Sequence, residues 1–230
     1  MRLNKLIMVA IFMLAISAAF AYAQPSCASI TAGADERGNI SCTNQGNATA
    51  AGGNLTEINV TVTSITEAWH GFYGQITSNS TLTLEDAAGF RMYSWNFTIS
   101  GGEIYASRSN GVNWATIAAE NDCTTDEALT GTGSDRTNLT FAPSSNSAFE
   151  VGTVAIAAGS ACSTHTYVNS SAQAATFEEV ILDDTTNIVY AGLLESDSQG
   201  FDNGNYDFQI IVPDNRTSAV ETYYFYAELS

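Results

Sequence analysis

With 230 residues, 24 acidic side chains against 7 basic ones and 45% apolar residues, the chain carries a formal charge of −17 at neutral pH. So negative a surface repels phosphate backbones and anionic lipid headgroups, which excludes nucleic-acid binding and electrostatic membrane attachment as expected roles. The apolar content sets the chain apart from disordered acidic tails, and with Lys5 as its single lysine, Schiff-base chemistry is excluded beyond the N-terminal segment.

Residues 1–23 read as a signal peptide. Arg2 and Lys5 form a basic start, an apolar run extends from Leu6 to Phe20, and Ala21-Tyr22-Ala23 precedes Gln24 as a small-residue cleavage site. The run is shorter than the roughly 20 residues that span a bilayer, so cleavage is expected rather than anchoring, with no membrane insertion afterwards. Without the leader, five arginines face 24 acids, a net charge of −19. The expected location is the extracellular cell surface. Cys27, Cys42, Cys123 and Cys162 all follow the leader, and an even set in an oxidising compartment is expected to form disulfides. Of the three connectivities, Cys27–Cys42 with Cys123–Cys162 closes the shortest loops. No CxxC pair exists and the histidines are His70 and His165, so tetrahedral zinc spacing is absent.

Residues 24–53 form a polar N-terminal extension rich in Ala, Gly, Asn, Ser and Thr. From residue 54 to 230, short alternating or apolar runs predict strands near 55–65, 71–77, 80–85, 90–99, 103–107, 136–142, 149–157, 176–183, 187–194, 206–212 and 221–229. Helical turns are expected only around Trp114–Glu120 and Thr125–Leu129. The fold class is therefore all-β, a single antiparallel β-sandwich of immunoglobulin-like or jelly-roll-like kind. In the Tyr93–Ile99 run, Trp95 shares the inward face with Tyr93 and Phe97. The terminal strand places Tyr223, Phe225, Ala227 and Leu229 on one face and Tyr224 and Tyr226 on the other, so it is buried twice or presents a contact patch.

Nine N-x-Ser/Thr sequons occur, at Asn39, Asn47, Asn54, Asn59, Asn79, Asn96, Asn138, Asn169 and Asn215. The exported part holds 17 asparagines in a chain about one-fifth Ser plus Thr, so chance would supply roughly 4. The strand pattern places three sequons outward, with Ile58 facing in and Asn59 out, Trp95 and Phe97 in and Asn96 out, and Leu139 and Phe141 in and Asn138 out, and the others fall in polar loops or beside turn residues. The chain thus reads as an extracellular N-glycoprotein.

The runs Trp69-His70-Gly71-Phe72-Tyr73-Gly74, Tyr93-Ser94-Trp95, Gly102-Glu103-Ile104-Tyr105-Ala106-Ser107, Phe177-Glu178-Glu179-Val180-Ile181-Leu182, Tyr206-Asp207-Phe208-Gln209 and Tyr223-Tyr224-Phe225-Tyr226 with Glu228-Leu229 resemble a group of secreted, uncharacterised archaeal cell-surface proteins. The resemblance spans roughly residues 54–230. It implies a shared fold and an archaeal extracellular setting, and carries no activity or catalytic residues with it.

Chemistry is sparse. No G-x-S-x-G elbow accompanies the two histidines. The adjacent acids Asp35-Glu36, Glu85-Asp86, Asp126-Glu127, Glu178-Glu179 and Asp183-Asp184 read as solvated edges, because strand neighbours point to opposite faces; they leave a carboxylate-pair glycosidase open without supporting one. No cofactor is expected unless it is calcium. Asp197, Asp202, Asn203, Asn205 and Asp207 crowd oxygen donors between glycines, a composition that suits calcium but fits an ordinary Asn/Asp/Gly hairpin turn better. The sequence thus points to a structural or adhesive cell-surface glycoprotein without catalytic activity, whose partners are other surface proteins or glycans. The alternatives are a carbohydrate- or calcium-dependent binding module, with Trp69, Trp114, Tyr224 or Tyr226 stacking on sugars, and a filament subunit.

Overall fold

The computed structural model describes residues 25–38, 49, 51–58, 64–76, 81–96, 101–216 and 220–229; the expected leader, Cys42, and sequon residues Asn39, Asn47, Asn59 and Asn79 lie outside them. The strands in chain order are β1 (Ser26–Cys27), β2 (Trp69–Gly74), β3 (Thr81–Glu85), β4 (Arg91–Asn96), β5 (Gly102–Ser107), β6 (Ala118–Ala119), β7 (Phe149–Val151), β8 (Val154–Ile156), β9 (Ser163–His165), β10 (Glu178–Asp183), β11 (Ile188–Leu193), β12 (Ser198–Gln199), β13 (Asn205–Tyr206), β14 (Phe208–Pro213) and β15 (Tyr224–Leu229). Helical structure is confined to a 3₁₀ turn at Trp114–Thr116 and single turns at Glu127–Thr130 and Thr137–Thr140. The protein is all-β, as the strand pattern predicts.

Seven strands form one antiparallel sheet in the order β1-β15-β5-β11-β10-β6, with β9 sharing the outer edge of β10 beside β6. Its centre explains itself from sequence. Ile104-Tyr105-Ala106, Val180-Ile181-Leu182 and Val189-Tyr190-Ala191 are unbroken apolar runs, so the sheet must be covered on both sides. On one face Tyr105, Val180, Leu182, Val189, Ala191 and Tyr226 pack beneath Ile117 and the β7–β8 hairpin, through Val151 and Ile156. On the other, Ala106, Ile181, Tyr190 and Phe225 pack beneath the β2–β14 ribbon, through Phe72, Ile210 and Val212, and beneath Phe141. This covering of a large antiparallel sheet on both sides is consistent with a β-sandwich.

Three segments converge beside Ile181. The Glu120 N–H donates to the Ile181 carbonyl at 3.1 Å, the Ile181 N–H to the Cys162 carbonyl at 2.9 Å, and the Cys162 N–H to the Glu120 carbonyl at 2.7 Å. The Cys123–Cys162 disulfide, with Cα atoms 5.7 Å apart, ties this junction covalently, as expected. Cys27 is exposed on β1 and bonds to no described cysteine, and its expected partner Cys42 lies outside the described residues. The polar extension does more than precede the sheet, because Ser26 and Cys27 pair with Ala227 and Tyr226 on β15.

Four sequence expectations are overturned. The predicted strand 136–142 is a helical turn, which places Phe141 inward but leaves Leu139 exposed and Asn138 half-buried; a helical repeat does not keep alternate residues on one face. Ile58 is exposed and outside any strand, and the rest of its expected strand, 59–63, lies beyond the described residues. The 149–157 run folds back on itself at Gly152, whose φ of +59° makes the turn between β7 and β8. Trp95 is 47% exposed rather than core, because β3 and β4 pair only with each other among the described residues.

Candidate functional site

The loop expected to hold calcium closes on itself. Tyr206 folds back over it, donating its hydroxyl to Asp202 Oδ2 at 2.9 Å, while the Gly204 N–H donates to Asp202 Oδ1 at 2.9 Å and holds that carboxyl below its usual range. Two glycines make this possible. A Cβ at Gly200 would lie 2.3 Å from Cδ2 of Tyr206, and one at Gly204 would lie 2.6 Å from its hydroxyl oxygen. Asp207 braces the entry, accepting from Ile76 N–H at 2.7 Å and Asp197 N–H at 3.0 Å. Asp197, Asn203 and Asn205 are exposed. Asp202 and Asp207 therefore use their carboxylates on the loop's own donors, and among the described residues no three His, Cys, Asp or Glu side chains gather as a metal-holding group. The same loop does something its composition did not advertise. It lays Phe201 and Tyr206 beside Tyr73 of β2, with Tyr73 4.8 Å from each ring centre and nearly edge-on to both, and with Phe201 and Tyr206 parallel within 16°. Tyr73 is 49% and Phe201 38% exposed.

Of the four aromatics expected to stack on sugars, three are engaged in packing. Trp114 lies 5.1 Å from both Tyr105 and Tyr226, and Tyr226 is buried with its hydroxyl donating to the Ser109 carbonyl at 3.0 Å. Trp69 packs 5.8 Å from Phe141 and donates its indole N–H to the Asp135 carbonyl at 2.5 Å. Tyr224 remains exposed. On the terminal strand Tyr226 and Glu228 are buried, Phe225, Ala227 and Leu229 are half-buried, and Tyr224 is exposed. β2, with Gly71 and Gly74, pairs in unbroken register with β14, and the Phe208 ring lies 3.4 Å from where a Gly74 Cβ would stand.

The acids read as solvated edges include several that are buried. Glu178 and Glu179 on β10 are nearly inaccessible, as are Asp126, Asp184, Glu103 and Glu228. Glu103 and Glu228 face each other across β5 and β15, with the Tyr105 hydroxyl 3.3 Å from an oxygen of each. Burial, reinforced by the charge of Glu228, pushes the Glu103 carboxyl up to about 8, and burial raises Glu228 as well. Gly152 N–H donates to Glu228 at 2.8 Å and Ser147 N–H to Glu178 at 2.8 Å, so these two glutamates grip the β7–β8 cover at its turn and its entry. On the opposite face Glu179 accepts from Ile211 N–H at 2.9 Å, its other oxygen has no partner among the described residues, and burial raises its pKa strongly. Asp126 accepts from the Tyr190 hydroxyl at 2.6 Å and from Arg108 at 2.7 Å. A carboxylate pair exists, but Glu228 is taken up by the Gly152 N–H of the covering hairpin and the Tyr105 hydroxyl lies against both members.

Two further surfaces are open. The β3–β4 ribbon sets Leu84 opposite Tyr93 and presents Tyr93, 58% exposed, beside Trp95, their rings 4.8 Å apart. A groove of about 930 Å³ runs between residues 30–38 and β2, floored by His70, Phe72 and Phe225 and edged by Arg37, Glu67 and Arg216. Among the described sequon asparagines, Asn54 and Asn169 are exposed, Asn138 accepts from Arg136 at 2.6 Å, Asn215 donates to Glu221 at 2.8 Å, and Asn96 ends β4. No described helix is long and apolar enough to cross a membrane. No family model, curated protein or solved structure matches the chain.

Proposed function

We propose that the protein is a secreted, N-glycosylated structural or adhesive component of the cell surface, archaeal as its sequence resemblance suggests, working by contact rather than catalysis. The observation that carries this reading is the β3–β4 ribbon, which holds Leu84, Tyr93 and Trp95 in solvent with no further strand beside it among the described residues. A two-stranded ribbon is marginal in water by itself, and an exposed ring pair on one fits a surface that is covered when the protein meets a partner. The leader, the Cys123–Cys162 bridge and the outward Asn54 and Asn169 support an extracellular setting.

Attachment of the labelled full chain to the surface of its producing cells tests the reading. Wild type is expected to bind, and the double variant Tyr93→Ser, Trp95→Ser is expected to lose at least about tenfold of that binding with its melting temperature unchanged, since both rings are near half exposed or more. Equal binding by the two proteins would reject the ribbon as the contact. In parallel, mass spectrometry of the native protein is expected to find glycan on Asn54 and Asn169, and bare asparagine at all nine sequons would remove the glycoprotein reading.

A further inference from the structure

We propose that Tyr73, Phe201 and Tyr206 form a binding platform for the pyranose rings of a neutral polysaccharide. This names a partner class for the contact function above and rests on that reading, but on a different surface from the ribbon. The three rings form a prearranged cluster. Phe201 N–H donates to Gln209 Oε1 at 2.8 Å, and Gln209 is itself held by Thr166 and the Tyr167 carbonyl, so the loop is pinned to β14 directly behind the ring. From the other side Asn169 and Ser170 N–H groups donate to the Gly200 and Phe201 carbonyls at 2.9 and 2.7 Å. Gly200 and Gly204 leave no room for side chains where Tyr206 closes over them. The loop therefore holds exposed apolar rings in place before any partner arrives, which lowers the ordering cost of binding.

The chemistry of the rim selects the ligand. The negative face of an aromatic ring suits the C–H face of a sugar, and Gln75, Asp202, Asn203 and Asn205, all exposed around the rings, offer acceptors and amide donors suited to hydroxyl groups. The hydrogen bonds that organise the loop involve no arginine, and the chain's only lysine is Lys5. A uronic or sulfated polysaccharide would meet the exposed Asp197 and Asp202 carboxylates, to which no cation is hydrogen-bonded among the described residues, so an uncharged one is favoured.

Affinity electrophoresis of the full chain through gels containing a soluble neutral glucan, mannan or galactan, with alginate as the anionic comparison, provides the test. All proteins are made in a Ser171→Ala background, which removes the Asn169 sequon but keeps Asn169 at its φ of +50°, so that a glycan attached beside Phe201 cannot fill the rings. Retardation by at least one neutral polysaccharide is expected, with a tenfold or greater weakening in Phe201→Ala and separately in Tyr73→Ser, and none in Tyr93→Ser, Trp95→Ser. Two independent ring variants guard against one that misfolds, and circular dichroism checks each. The proposal is overturned if no neutral polysaccharide retards the protein, if both ring variants bind as wild type, or if alginate is the preferred ligand. Failure here with an intact ribbon-dependent cell attachment would remove the platform and leave the contact function standing; loss of attachment with retained sugar retardation would do the reverse.

Discussion

The side chains that decide this fold's chemistry are buried glutamates, and burial makes them sensors of alkali rather than acid. Glu103, Glu228 and Glu179 all hold their protons more tightly when folded, chiefly because burial disfavours their charged form. Below the unfolded carboxyl range near ~4.3 their contribution to stability is complete. As pH rises, the unfolded chain releases these protons while the folded chain keeps them, so stability falls at up to ~1.4 kcal/mol per pH unit for each group until the folded pKa is passed, near 8 for Glu103. Asp184 behaves oppositely. Burial works against its charge, yet N–H bonds from Asn113, Thr186 and Asn187 hold its pKa low, so its contribution is lost only as pH falls below the usual carboxylate range. Melting temperature is therefore expected to decline from pH 5 to pH 9, and Glu103→Gln is expected to flatten the decline; a level wild-type profile would contradict the burial argument. The opposite face tests a different principle. Tyr190→Phe removes one hydrogen bond to Asp126 but leaves Arg108 in place, costing about 1 kcal/mol, whereas Asp126→Ala leaves the buried Tyr190 hydroxyl without its acceptor and the partly exposed Arg108 without its carboxylate, costing about 2–3 kcal/mol, both measurable by urea unfolding. None of this was legible in the sequence. Glu178-Glu179 looks like a solvated edge until its neighbours prove to be a strand covered on both sides, and sequence alone does not place Gly152 or Ile211 within reach of a carboxylate.

At the scale of elements, sequence succeeded where patterns were long and failed where a segment had no regular partner. β5, β10, β11, β14 and β15 all lie within or beside their predicted runs, because β-branched and aromatic residues recur there between turn signals. The two-residue strands β1, β6, β12 and β13 carry no such pattern and exist only because a longer strand or a folded loop offers an edge. The platform rings escaped for the same reason. Tyr73 and Phe201 are far apart in sequence and meet only because β2 pairs with β14 and Gly200 allows the loop to close, so the oxygen-rich composition drew attention to calcium instead. Two predictions belong at this scale. Breaking the Cys123–Cys162 bridge, which spans a sequence separation of 39, in the double variant Cys123→Ser, Cys162→Ser is expected to cost about 4 kcal/mol by loop-closure entropy, seen as a lower urea midpoint. Gly102→Ala should be costly too. Gly102 has φ +122° where β5 begins, and a Cβ there would lie 2.1 Å from the Glu228 carbonyl oxygen, so a loss of about 2 kcal/mol or more is expected, with an unchanged midpoint arguing that the β5–β15 register is wrong.

Across the whole molecule, charge and exposed apolar surface oppose each other. At −17 for the full chain, two copies repel at neutral pH, while the Tyr93–Trp95 rings would gain by covering each other. The balance should tip wherever repulsion is removed. Screening is the gentler route: the Debye length falls from about 10 Å at 0.1 M salt to about 3 Å at 1 M, leaving attraction between ribbons unopposed. Protonation is the stronger one, because acid removes carboxylate charge from a chain with 24 acids, while Glu103 and Glu179, raised by burial, already hold their protons there. Sedimentation velocity is therefore expected to find monomer at pH 7 and low salt, with association growing toward pH 4 and in 1 M salt, and Tyr93→Ser, Trp95→Ser should remain monomeric throughout. Association that ignores the ribbon variant would mean that another surface, the groove beside residues 30–38 first among them, carries the contact. Monomer under every condition would mean that the acidic coat is not what keeps copies apart, and that the ribbon is shaped for a different partner.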